Sequence, residues 1–130
     1  MPIVLYKSEK ALSILKDIET ETRGFLITGD DTYLENDHKW KDNVDTMMLE
    51  LKKLTRDNPI QHLTIDSISV LTASKLPTCK MMQDFSRSDS FSLSSVQTSM
   101  LNNKNVMDSI TYLMLRLQTN ETNLLIASQE

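Results

Sequence analysis

Few residues in this chain have the types and spacing that chemistry requires. The two histidines, His38 and His62, are far apart, and we find no histidine or carboxylate repeated at helical spacing on an inward face. A metal site needs three or four convergent ligands, so none is predicted. Asp30, Asp31 and Glu35 cluster near a turn, where we interpret them as acids that open a helix rather than as calcium ligands.

Nucleophilic and phosphate chemistry also lacks a sequence signal. Cys79 is the only cysteine, and no serine or cysteine has a base placed to activate it. The chain has no glycine-rich phosphate loop. We therefore predict no catalytic residue and no cofactor. A net charge of -4, with lysines interleaved among acids, argues against a nucleic-acid partner.

Arg23 is the residue with the strongest claim to a binding role. It directly precedes Gly24 and lies near a predicted turn at Gly29. The guanidinium could bind an anionic signal. It could equally brace the turn or pair with Glu19, four residues earlier on the same helix face.

Arg23 is positioned by two helices and the turn between them, in a stretch that contains the only two glycines of the chain. Gly29 can take the left-handed conformation that ends a helix. Asp30 or Asp31 can then accept hydrogen bonds from the N–H groups that open the next helix, where Tyr33 begins an apolar stripe. Gly24 lies inside the first helix, either because another backbone approaches closely or as a tolerated weak point.

Apolar residues recur every three or four positions through most of the chain, which predicts amphipathic helices. The first helix is expected from about Ile3 to Thr28 and the second from about Asp31 to Arg56. We interpret Trp40, the only tryptophan, as a core anchor rather than a ligand platform. The full set of expected core anchors is Phe25, Trp40, Leu51, Leu71, Phe85, Leu113 and Leu117.

A third helix should begin at Pro59, because proline suits the first helical position and Asn58 can cap it. Gln61 would complete a capping box by reaching back to Asn58. The stripe continues on both sides of Pro77, which favours a kink there rather than a helix end.

A serine-rich stretch, residues 86–92, should be the least structured part. We expect a short helix from Leu93 to Leu101, closed by Asn102 and Asn103, and a last helix over residues 104–128. The predicted fold is all-α: an elongated antiparallel up-down four-helix bundle, with a short extra helix between the third and fourth long helices. We expect one domain, residues 1–130, whose termini lie at one end, as a domain inserted between two membrane helices requires.

Three landmarks in this order resemble a known family, CHASE3. The first is Glu19-Thr20-Glu21-Thr22-Arg23-Gly24-Phe25-Leu26-Ile27-Thr28-Gly29-Asp30 followed by Tyr33-Leu34; the second is the Asn58-Pro59 pair; the third, looser one covers residues 103–110. Glu21-Thr22 abuts Arg23, whereas the family has two residues between, a spacing that Glu19-Thr20 restores. The chain also departs from the family at Pro77, in the serine-rich region and in a shortened first helix.

The resemblance implies an extracytoplasmic, all-helical sensor module of a bacterial transmembrane receptor, chiefly of sensor histidine kinases. It implies flanking membrane helices, a cytoplasmic kinase in the parent, a periplasmic location and an unidentified signal, and it makes a homodimer plausible. Two alternatives stay open on the residues alone. One is a self-contained soluble helical interaction or scaffold protein, and the other is a bundle enzyme with a carboxylate metal site.

Overall fold

The computed structural model describes residues 3–34, 37–75 and 92–129, and every element in those ranges is helical. Helix α1 covers Ile3–Thr28, a short 3₁₀ helix covers Asp31–Leu34, α2 covers Asp37–Leu54, α3 covers Pro59–Lys75 and α4 covers Leu93–Gln129. The expected all-α fold is therefore confirmed. The predicted kink at Pro77 and residues 86–91 of the serine-rich stretch lie outside the described residues.

The helices pack as neighbours in a ring: α1 contacts α2 and α4, and α3 contacts the same two helices. Early residues of α1 meet late residues of its neighbours, since Lys7 pairs with Glu50 and Ser8 bonds to Gln118. The last turns of α1 pack instead against Val96, near the start of α4. Helix α1 therefore runs opposite to both α2 and α4.

The main core lies where the four helices turn their apolar stripes toward each other. Its buried members are Val4, Ala11, Leu15 and Ile18 of α1, Val44, Met48 and Leu51 of α2, Ile65 and Ile68 of α3, and Met107, Ile110, Met114 and Leu117 of α4. Each set follows the three-and-four spacing that keeps one side of a helix inward. Such burial is the main favourable contribution to folding.

The expected core anchors fall into three groups. Phe25, Leu51 and Leu117 are buried. Leu71 and Leu113 are partly buried and pack against the main core. The side chain of Trp40 and the whole of Phe85 lie outside the described residues. At the end of α2 the side chain of Leu54 is exposed, whereas Met48 is buried in the core.

The short extra helix is a correction, because α4 is one unbroken helix of 37 residues. Asn102 and Asn103 lie in its interior and do not close it. Asparagine costs a helix interior only about 0.7 kcal/mol or less against alanine, which a continuous buried stripe outweighs. That stripe continues across the helix break expected at Asn102 and Asn103, and its members are Val96, Met100, Asn103, Met107, Ile110, Met114 and Leu117.

Serines start α4. The hydroxyl of Ser92 accepts the backbone N–H of Ser95 at 3.2 Å, and the hydroxyl of Ser95 accepts the backbone N–H of Ser92 at 2.7 Å. This reciprocal pattern satisfies N–H groups that a helix start leaves free.

We predict that Asn102→Ala raises the free energy of unfolding by about 0.5 kcal/mol, because alanine is the better residue in a helix interior. Urea unfolding followed by circular dichroism measures it. Asn105→Ala, at another exposed position of α4, is the matched control and should give a similar gain. A loss at Asn102 alone would mean that this residue does end a helix in the left-handed conformation.

Candidate functional site

The chain reverses at Gly29, which has φ 69° and ends α1. Its N–H bonds to the carbonyl of Phe25 at 2.7 Å, so a helical carbonyl is satisfied at the C-terminus. A carboxylate oxygen of Asp30 then accepts the N–H of Thr32 at 3.0 Å. Hydrogen bonds from the backbone and the hydroxyl of Thr32 hold the pKa of the Asp30 carboxyl below its usual value. These bonds fix the direction in which the chain enters the 3₁₀ helix.

Gly24 makes room for an aromatic ring. A Cβ on Gly24 would lie 2.5 Å from Cε1 of Tyr33, closer than real atoms approach. The sequence suggested a neighbouring backbone, and the structure shows a side chain in that place. Tyr33 packs there against the buried residues Phe25, Leu26 and Val96. We call this group of Phe25, Leu26, Tyr33, Val96 and the partly buried Met100 the apolar end of the bundle.

Arg23 lies beside the apolar end, and its side chain is half exposed. Its guanidinium bonds to a carboxylate oxygen of Glu19 at 3.1 Å, an i,i+4 pair on the surface of α1. The hollow formed by Glu19, Arg23, Met100 and Asn103 has only about 10 Å³, enough for a single water molecule. The geometry thus gives Arg23 an ion-pair partner, and the hollow that it lines is too small for an anion larger than a water molecule.

We predict that Gly24→Ala and Tyr33→Ala are strongly coupled. Alanine at residue 24 should stabilise a Tyr33→Ala background by about 1 kcal/mol through helix propensity. With Tyr33 present, the same change should lose that gain or destabilise, because an overpacked ring costs about 1–3 kcal/mol. A double-mutant cycle on urea unfolding measures the coupling. Equal effects of Gly24→Ala in both backgrounds would show that the ring and the glycine do not touch.

The opposite end of the bundle contains the start of α3, where Asn58 and Pro59 stand as the sequence suggested. The side chain of Asn58 accepts the N–H of Gln61 at 3.2 Å, and its carbonyl accepts the N–H of His62 at 2.9 Å. The expected capping box is incomplete, because the Gln61 side chain points to α4 instead.

Gln61 is 1% exposed and connects α3 to the last third of α4. Its Nε2 donates to the carbonyl of Leu117 at 3.0 Å and to a carboxylate oxygen of Glu121 at 3.2 Å. Asn120, a polar residue on the predicted seam, donates to Oε1 of Gln61 at 3.4 Å. Every polar group of this buried amide therefore has a partner, which a polar side chain needs in a core.

Helix α1 joins the same region through a hydroxyl. Gln118 donates from Nε2 to the hydroxyl of the buried Ser8 at 3.1 Å, and that hydroxyl donates to the carbonyl of Leu5 at 2.9 Å. We call Ser8, Gln61, Gln118, Asn120 and Glu121 the polar end of the bundle. The main connections of the polar end could not be predicted from the sequence, because glutamine and serine on apolar stripes carry no local signal of their partners.

A cleft of about 310 Å³ opens beside the polar end. It is lined by Asn58, Ile60, Gln61, Asn120, Asn123 and Leu124. Side-chain amides and two aliphatic side chains face it, so it could hold a small molecule with both polar and apolar parts. The buried amide among them, Gln61, is already fully bonded to protein partners.

No cluster of potential metal ligands occurs among the residues that the structure describes. No three histidine, cysteine, aspartate or glutamate side chains converge there. Nδ1 of His62 contacts the carbonyl of Lys52 at 3.2 Å, and its Nε2 lies 3.8 Å from Asp66. The side chain of His38 and all of Cys79 lie outside the described residues.

We predict that Gln61→Glu destabilises the domain by about 3 kcal/mol at neutral pH, because a buried carboxylate would face Glu121 and lose the amide donor. The loss should be small below about pH 4.3, the carboxyl pKa in the unfolded chain, and should grow above it until the pH passes the higher pKa of the buried carboxyl. Urea unfolding at several pH values measures it. The exposed Gln97→Glu is the control, with a change within about 0.5 kcal/mol. Equal effects of both variants would contradict the bridging role of Gln61.

The fold and the site define a class: a helical bundle with polar and apolar contacts between its helices and, in the described residues, no set of catalytic groups. A family model for the CHASE3 domain matches residues 3–130. The chain therefore belongs to the CHASE3 family, whose members are extracytoplasmic sensor domains of signalling receptors. Comparison with curated proteins and with solved structures gave no match.

In the described ranges, no helix combines the length and the apolar character that crossing a bilayer requires.

Proposed function

We propose that this domain is the signal-input module of a transmembrane receptor, specifically a two-component sensor histidine kinase. The domain would lie on the periplasmic side of the inner membrane, between two membrane helices, and the kinase on the cytoplasmic side. Signals would be relayed as a small displacement of α1 against α4. Family membership supports the sensor role, and the contacts between these two helices support the relay.

The observation that carries the relay proposal is the unequal character of the contact between α1 and α4. At the apolar end, Phe25 and Leu26 are buried against Val96. Separating them would cost free energy in proportion to the apolar area exposed to water. At the polar end, Ser8 and Gln118 share one hydrogen bond, which water can replace at a net cost of about 1 kcal/mol. A small pivoting motion would therefore break the Ser8–Gln118 bond first. Its extent would be limited because Val4, Ala11 and Leu117, near these residues in the chain, are buried in the main core.

The polar end is also where the first and last helices would leave the domain toward a membrane. Ser8 is near the start of α1, and Gln118 is near the end of α4. A displacement there would reach both connected segments directly. A ligand can drive such a change only if it binds one helix arrangement more tightly than the other.

One observation favours the alternative of a helical interaction protein. Helix α3 exposes Ile60, Leu63 and Val70, which lie three and seven residues apart on one side of the helix. An apolar helix face of this kind suits a protein partner. Within the receptor proposal, we propose that the same face packs against a second copy of the chain in a homodimer.

The relay is tested by restraining α1 against α4 in the full-length parent. Because Ser8 is fully buried and in contact with Gln118, Ser8→Cys with Gln118→Cys would be joined directly as a disulfide by an added oxidant, in a Cys79→Ser background that leaves no other cysteine in the domain. We expect a several-fold difference in basal autophosphorylation between the oxidised and the reduced protein, since about 1 kcal/mol shifts a two-state population that far.

The matched control joins residues within one helix. Lys104 and Asp108 form an exposed i,i+4 ion pair of 2.9 Å on α4, so Lys104→Cys with Asp108→Cys receives the same reagent without restraining helix against helix. Autophosphorylation should stay unchanged in the control. Unchanged autophosphorylation in the Ser8–Gln118 pair as well, or a parent sequence with no hydrophobic segment on either side of the domain, would refute the proposal.

A further inference from the structure

A second cleft lies between α2 and α3, away from the polar end. It has a volume of about 180 Å³ and is lined by Asp45, Met48, Leu49 and Lys52 of α2 and by Ser69 and Thr72 of α3. We call it the α2–α3 groove. Its walls combine two apolar side chains, two charges and two hydroxyls, which is the mixture of groups found in small-molecule sites.

The hydroxyls of the groove are unusual because they have no protein partner. Ser69 Oγ and Thr72 Oγ1 are both buried without a hydrogen bond, and Thr72 as a whole is 2% exposed. Elsewhere, buried threonines bond to the carbonyl four residues earlier, as Thr55 does to Leu51 at 2.8 Å and Thr64 to Ile60 at 3.0 Å. An unpaired buried hydroxyl is costly, so each of these two atoms needs a partner that the described protein groups do not supply.

The charges of the groove favour a cation as that occupant. Lys52 is already paired with Asp66 of α3, at 3.3 Å. Asp45 makes no ion pair within the part of the chain that the structure describes. One carboxylate is thus left without a partner beside two free hydroxyl oxygens. An ammonium group has three N–H donors and no acceptor, which matches three oxygen acceptors.

The apolar walls limit the rest of the ligand. Met48 is buried and Leu49 is exposed, so they present a continuous aliphatic side to whatever fills the groove. Methionine is unbranched and adapts to irregular shapes. A short hydrocarbon chain would pack on this side while its charged end lies among the oxygens.

We propose that the α2–α3 groove binds a small organic cation, a primary ammonium on a short aliphatic chain, held by the Asp45 carboxylate and by the Ser69 and Thr72 hydroxyls. Binding can be measured on the domain alone and does not depend on signal relay. Only the further step, that such a cation is the signal of the receptor, rests on the proposed function.

The cleft beside the polar end does not compete with this assignment. Its buried amide, Gln61, is bonded to the carbonyl of Leu117 and to the side chains of Glu121 and Asn120. The larger cleft therefore has no orphaned buried group to attract a ligand. The smaller groove has two.

The test uses the 130-residue chain and n-butylammonium chloride as the probe, followed by isothermal titration calorimetry and by amide NMR shifts. We expect saturable binding with shifts centred on residues 45–52 and 69–72. Two control probes should each bind at least about tenfold more weakly than n-butylammonium. 1-Butanol has the chain without the charge, and n-butyltrimethylammonium has the charge without N–H donors.

Three variants separate the groove from general electrostatics. Asp45→Asn should weaken binding of n-butylammonium about tenfold, and Thr72→Val should weaken it several-fold. Asp17→Asn, which removes an exposed carboxylate from α1, is the charge-matched control and should bind like the wild type. Thr72→Val keeps the shape of the side chain and removes a hydroxyl without a protein partner, so it should fold with an unchanged or higher melting temperature.

Several results would overturn the proposal. They are the absence of saturable binding to the wild type, equal binding of 1-butanol, or an equal loss in Asp17→Asn and Asp45→Asn. A lower melting temperature of Thr72→Val in the absence of probe would show that structural water already satisfies the hydroxyl. None of these results would contradict the proposed relay between α1 and α4, which the crosslinks test separately.

Discussion

The structure depends on the burial of one apolar seam along α4. This helix contacts both α1 and α3, and Met107, Ile110, Met114 and Leu117 place its side chains in the main core. A helix of this length buries little by itself, since its stability in water comes mainly from packing an amphipathic face. The position of α4 therefore fixes where α1 and α3 can lie, and α2 closes the ring between them.

Much of the fold could be predicted from local patterns in the sequence. The bounds of α1 follow from the apolar stripe and from Gly29, whose positive φ is a local property of a residue without Cβ. The start of α3 follows from Asn58 and Pro59 for the same reason, because a cap and a missing N–H act within one turn. Features decided within a few residues are those that a single sequence reveals.

The sequence was less informative wherever a distant residue decides the outcome. Asn102 and Asn103 suit a helix end, but the packing of the stripe on both sides holds α4 continuous. Gly24 indicated a close approach without naming Tyr33 as the neighbour. Gln61 fits a capping box, yet its partner is the Leu117 carbonyl, 56 residues away. The unpaired hydroxyls of the α2–α3 groove depend in the same way on how two helices meet, which periodicity does not encode.

The unbroken course of α4 has a mechanical consequence. At 1.5 Å per residue, its 37 residues form a rod of about 55 Å. A rod held at the apolar end acts as a lever, and each degree of tilt there moves its far tip sideways by about 1 Å. A hinge at Asn102 and Asn103 would have absorbed that motion. Continuity of the helix lets a change too small to disturb the core become an ångström-scale movement at the opposite end.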